Sequence, residues 1–171
     1  MLHSEAIDPA GVEWTRVDEK YITVKLTTGV ISWALTLIVV LVPILGEHLF
    51  GWWSIVDWLK WPVLAVMVAW AAIDIALIPK RVRAIGYFER ADDLIIRRGL
   101  LWQRVVVVPY GRLQYVDIEA GPLMRKFGIC TVQLKTASAA SDAAIPGALR
   151  TEGARLRDEL SARGQACLAG L

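Results

Sequence analysis

The side chains best suited to covalent or proton-transfer chemistry are few in this chain and far apart. The 171 residues include two histidines, His3 and His48, and two cysteines, Cys130 and Cys167. A Cys/His nucleophile needs imidazole and thiol within hydrogen-bond reach. Only His3, in the polar start of the chain, is expected on the same side of a membrane as the cysteines. The cysteine spacing matches no metal site, and no phosphate-cradling glycine loop or dinucleotide fingerprint is present. The expectation is therefore no catalytic residue, no metal and no cofactor, with both thiols reduced and inert. The acidic pair Asp92-Asp93 has the composition of a cation ligand, but a charged hairpin turn accounts for it.

Two further groups have chemical potential. Asp74 stands within an apolar run, five residues before Pro79, about 7.5 Å of helix inside its end. An acid placed within a membrane is a functional candidate. The plainer reading is that it reaches the membrane interface, or meets Ser32, Thr28 or Lys25 at similar depth on the antiparallel first helix. The second group is basic: Lys80, Arg81, Arg83, Arg97, Arg98, Arg104, Arg125 and Lys126. Each cation held at an anionic leaflet gains about 1 kcal/mol, so together they are candidate contacts for a lipid surface. The plainer reading is that the juxtamembrane residues set topology and the rest form a solvated face. Strand alternation separates Arg97 from Arg98, which argues against one selective headgroup pocket. With neither a recognition helix nor an RNA-stacking motif, nucleic acid is not an expected partner.

The elements that must position these groups begin with two long apolar stretches, Leu26 to Gly46 and Trp61 to Pro79. Each can cross a hydrocarbon core of about 30 Å as a helix. They predict a transmembrane hairpin over residues 26–79, preceded by a polar segment, 1–25, and followed by a domain, 80–171. Pro43 is expected to bend or end the first span, and Pro62 to sit in the first turn of the second. Trp52, Trp53, Trp58 and Trp61 cluster around the connecting turn and read as an interfacial belt. Lys20, Lys25, Lys80, Arg81 and Arg83 flank the outer ends, against Lys60 alone in the turn. The positive-inside rule then places both termini in the cytoplasm of a two-span cell-membrane protein. Residues 80–135 carry 11 Lys or Arg against five acids, while residues 1–25 carry five acids against three cations.

After the second span the texture changes to short apolar runs with turn punctuation. Strands are expected at 81–90, 94–98, 101–108, 112–119, 129–136 and 142–145, with a tight hairpin at Gly99 and an irregular connection or helical turn at 123–128. Cys130, Val132 and Leu134 alternate with Thr131, Gln133 and Lys135, as a half-buried strand requires. Leu149, Gly153, Leu156 and Leu160 then recur at helical spacing, and Gly164 is expected to end or fray that helix. The fold class is thus a membrane helical hairpin followed by a β-rich domain.

Several motifs in order resemble one family. Arg83-Ala-Ile-Gly-Tyr-Phe-Glu-Arg90, Asp93-Leu-Ile-Ile-Arg-Arg-Gly-Leu100, Val108-Pro-Tyr-Gly-Arg-Leu-Gln-Tyr-Val116, Leu123-Met-Arg-Lys-Phe-Gly-Ile-Cys-Thr-Val132 and Leu134-Lys-Thr-Ala137 look like the bacterial PH-like domain of YdbS-like membrane proteins. The resemblance covers about residues 14 to 163 and implies a bent antiparallel sheet of seven strands capped by a C-terminal helix. Six strands are visible in the sequence; a split of 81–90 or a piece near Gly121 is expected to supply the seventh. No catalytic residue is implied. The leading expectation is a non-enzymatic, membrane-anchored interaction module that binds a membrane or cytoplasmic protein or self-associates into a homo-oligomer. The alternative is a domain that senses or docks onto anionic lipid headgroups.

Overall fold

The computed structural model of the chain describes residues 14–50, 57–137 and 142–169. His3, Trp52 and Trp53 lie outside the described residues, as does the side chain of His48. The chain divides into two compact units: Lys25–Pro79, and the described parts of Met1–Val24 and Lys80–Leu171 taken together.

The first unit is made of two helices, α1 (Lys20–Phe50) and α2 (Asp57–Arg83), each of which extends beyond it. Both contain a stretch long and apolar enough to cross a membrane, Lys20–Gly46 and Lys60–Arg83. Their large apolar side chains point outward: Val39 is 71% exposed, Val66 67% and Trp70 66%. A helix satisfies its backbone internally, so such a surface is at home in hydrocarbon and costly in water. Trp58 and Trp61 are exposed as well. Three boundary expectations are corrected. α1 does not end at Pro43, because a proline removes one hydrogen bond and the helix resumes beyond it. Pro62 lies inside α2, not in its first turn, since the helix has begun by Asp57. The helix also runs through Pro79 to Arg83, so Arg81–Arg83 is helical and not the start of a strand. Lys80, Arg81 and Arg83 occupy that last turn, where cations complement the helix dipole.

The second unit holds two antiparallel sheets. The first has the order β1 (Thr15–Arg16), β2 (Gly86–Glu89), β3 (Asp93–Arg98), β4 (Arg104–Pro109). The second has the order β5 (Leu113–Glu119), β6 (Ile129–Thr136), β7 (Ala143–Leu149). The seventh strand is thus β1, which precedes both spans; it arises neither from a split of 81–90 nor near Gly121. It is only two residues long and has no periodicity to betray it. A short helix, α3 (Pro122–Phe127), links β5 to β6, and α4 (Arg150–Ala169) follows β7 directly.

The core is where the two sheets and α4 meet. Leu94, Ile95, Ile96, Val108, Ile129, Cys130, Val132, Leu134, Ile145, Leu156 and Leu160 are all buried. The β6 alternation is as the sequence requires, with Cys130, Val132, Leu134 and Thr136 buried between half-buried neighbours. β7 was expected to stop before Pro146-Gly147, yet it continues to Leu149. A register shift at Cys130/Thr131 absorbs the irregularity, and on an edge strand the missing proline N–H leaves no ladder partner wanting. Gly147, at φ 74°, packs so closely on Tyr21 that a Cβ there would lie 2.6 Å from the Tyr21 side chain. Gly164 does not end α4. It is buried inside the helix against the turn at Tyr110 and Leu113, where a Cβ would meet the Tyr110 carbonyl oxygen at 3.5 Å, an ordinary contact.

Candidate functional site

One row of the first sheet organises the basic residues. Arg16 on β1 pairs with Gly86 on β2, which pairs with Arg97 on β3. Directly opposed residues in antiparallel strands project to the same face, so two arginines flank a glycine at two strand spacings, about 10 Å. Gly86 leaves the space between them open to Trp14, whose Cβ would stand 3.4 Å from any Cβ added there. The Arg97 guanidinium sits 5.6 Å from the centre of the Trp14 ring, within cation–π range. Arg83 completes the lining as α2 runs into β2, giving a pocket of about 80 Å³. Arg83 also approaches Glu19 at 3.8 Å, an exposed pair that neutralises part of its charge.

The remaining candidates lie elsewhere. Arg98 and Arg104 face each other across the base of the β3–β4 hairpin. The Nε of Arg98 is buried and has no hydrogen-bond acceptor among the described residues. Arg125 and Lys126 belong to the last turn of α3 and do not line the pocket. The β3–β4 turn is wider than expected, because β4 begins at Arg104, so Gly99–Gln103 forms the connection. Gly99 has φ 105°, and a Cβ on it would collide with the Trp102 carbonyl, so glycine is what lets this turn close. Within the turn Leu101 is 84% exposed and Trp102 90%.

In the hairpin unit, Asp74 bonds across to α1. Trp33 donates its indole N–H to the Asp74 carboxylate at 3.3 Å. Ser32 is exposed, and the helical step of about 100° turns the short serine away while the long indole reaches over.

A denser polar network fastens α4 to β2. Tyr87 donates its hydroxyl to Glu152 at 2.9 Å, and Arg155 bridges Glu152 and Glu89, each at 2.6 Å, while also pairing with Glu159. Burial, reinforced by Glu152, pushes the Tyr87 phenol well above its usual range. The hydrogen bond from Arg155 holds Glu152 below the ordinary carboxylate range. Nearby, buried Tyr110 donates to the Arg90 carbonyl at 3.0 Å and accepts from Arg163, whose guanidinium stacks 5.4 Å from its ring. Burial raises the Tyr110 phenol and the Cys130 thiol. Acid–base catalysis wants groups tuned toward neutrality; these are driven away from it. The network is a clasp.

The last open feature is β5. It is an edge of the second sheet, with Gln114, Tyr115, Asp117 and Glu119 exposed. Between this strand and α4 runs a groove of about 270 Å³, lined by Leu113, Tyr115, Arg157, Leu160 and Gln165 among others.

Comparison with known proteins agrees with this architecture. The bacterial PH domain family matches residues 21–164. The chain belongs to that family. It is 32% identical over 138 residues to the transmembrane protein YdbS of Bacillus subtilis (strain 168), covering 80% of this chain and 83% of that one. No solved structure matches. The PH-like domain and paired apolar helices make it a membrane protein of this family. Arg16 and Gly86 escaped the sequence reading as site residues, because they gather with Arg97 only through pairing across the hairpin insertion. Leu101 and Trp102 escaped because they were read as the start of a strand, although an apolar pair between Gly99 and Arg104 is a turn-tip signal.

Proposed function

We propose that this PH-domain protein is a non-catalytic interaction module, anchored by its hairpin with both termini in the cytoplasm, that takes up an extended protein segment along β5. The open β5 edge beside the α4 groove carries this reading. Unpaired strand N–H and C=O groups are a template for another strand, and an adjoining groove gives alternate side chains somewhere to go. The perturbed groups of the clasp, tuned away from neutral pH, favour a structural over a chemical role. Lys/Arg asymmetry around the spans supports the orientation. A photo-crosslinking amino acid at Tyr115, in the full chain in native membranes, tests the reading. The expected result is a discrete adduct, lost in the edge-blocking variant Val116→Pro and absent with the crosslinker at Thr151. An adduct to a second copy makes the module self-associating; no adduct at Tyr115 overturns the proposal.

A second reading rests on the Arg16–Gly86–Arg97 row. Three arginines around a small pocket form a donor set for a phosphate, and Arg83 is four residues beyond Pro79, at headgroup depth if the span ends there. Full chain in nanodiscs of phosphatidylglycerol against phosphatidylcholine should show protection of this pocket by the anionic lipid alone. Equal protection in both would dismiss it.

A further inference from the structure

We infer that the β3–β4 turn, Gly99–Gln103, is a membrane wedge that inserts Leu101 and Trp102 into the bilayer surface that holds the chain. This goes beyond both readings above, since it needs neither the β5 edge nor the arginine pocket.

Register places the turn. β2 begins at Gly86, three residues after α2 ends, and Gly86 is opposite Arg97 near the end of β3. One residue further, Arg98 and Arg104 close the ladder. β1 reaches the same row at Arg16, four residues before α1 begins. The chain therefore leaves the first sheet on its way to one span, and rejoins it after the other, at the end of that sheet where the β3–β4 turn projects. From Arg97 to Leu101 is four residues, long enough to reach about 10 Å past the row.

Composition fits the same occupant. Leu101 and Trp102 are among the most exposed large apolar residues outside the two membrane-spanning helices, and Leu100 is partly exposed beside them. A tryptophan prefers the boundary between headgroup and acyl chain. Arg98 and Arg104 bracket the apolar tip, and guanidinium groups there are suited to pair with lipid phosphates. A protein pocket would suit the apolar tip but not the flanking charge. An anionic bilayer suits both.

The Gly99 conformation holds the wedge in shape, since the turn closes only with φ 105° and no Cβ. The wedge adds a third attachment to the two chain crossings.

The test uses the full chain with Cys167→Ser and Leu101→Cys, carrying an environment-sensitive fluorophore at position 101; Cys130 is buried and escapes labelling. The protein is held at one copy per nanodisc of phosphatidylglycerol and phosphatidylcholine. The expected result is blue-shifted emission quenched by nitroxides placed high on the lipid acyl chains. The same probe at Thr151, exposed on α4, stays water-like and unquenched. Adding Trp102→Ser should red-shift the probe at 101 and reduce quenching, with the fold unchanged by circular dichroism. A water-like probe at 101 overturns the inference. So does a blue shift that appears only with two copies per disc and resists lipid quenching, which assigns the tip to a second chain.

Discussion

Trp33 of α1 and Asp74 of α2 are joined by a hydrogen bond of 3.3 Å between the indole N–H and the carboxylate. The bond ties one level of α1 to one level of α2, and a bond between membrane helices competes with little water. Such bonds between membrane helices contribute about 0.6 kcal/mol on average and up to about 1.7. Trp33→Phe should therefore lower the melting temperature in detergent slightly while leaving insertion intact. Asp74→Leu should insert at least as readily and change disulfide crosslinking between cysteines introduced on α1 and α2. Unaltered crosslinking and melting in both variants would show that the bond does not register the hairpin.

Gly147→Ala is expected to be among the most damaging small substitutions. Its φ of 74° is unfavourable to any side chain, and the new methyl would meet Tyr21 at 2.6 Å. Left-handed backbone strain and overpacking each cost about 1–3 kcal/mol, so a loss of about 2–6 kcal/mol is expected in chemical unfolding. Tyr21→Ala combined with Gly147→Ala should recover the packing part and not the backbone part.

Acid should loosen α4 through Glu152. Its carboxyl is held below the ordinary value by Arg155, so the folded chain binds a proton there less readily than the unfolded chain. That contribution is fully present above the unfolded glutamate value of about 4.3 and is lost as pH falls through the lower folded value. Glu152→Gln should cost about 1–2 kcal/mol at neutral pH, because Tyr87 and Arg155 lose a charged partner. The difference in stability between the two proteins should shrink below about pH 4. Thermal unfolding followed by circular dichroism across pH reads both effects.

Gly86→Val should fill the pocket between Arg16 and Arg97 while suiting a β-strand. An added Cβ alone is already in contact with Trp14, at 3.4 Å, so the two further methyl groups must displace the ring. The expected outcome is a folded protein with no preference for phosphatidylglycerol at this pocket. A preserved preference would place lipid contacts elsewhere on the domain.

The spans, β6 and the buried face of α4 were legible because each carries a strong period or a long apolar run that a local window detects. The strand at 81–90 was misjudged at its start because Arg81-Val82-Arg83 alternates polar and apolar residues like a strand, although it continues α2 and buries Val82. Gly164 was misjudged because a glycine that breaks an isolated helix is also one that packs against a neighbour, here Tyr110 and Leu113. The pocket was not legible at all. Arg16 and Arg97 are 81 positions apart in sequence and meet only through the β1–β2–β3 ladder. The polar lead-in read as a separate segment supplies that ladder's first strand.

The pairing of Thr15 with Tyr87 encloses the whole hairpin between two neighbouring strands of one sheet. A chain that threads only one of its two spans leaves these residues on opposite sides of the bilayer, where the ladder cannot form. The first sheet can therefore close only after both spans have been threaded.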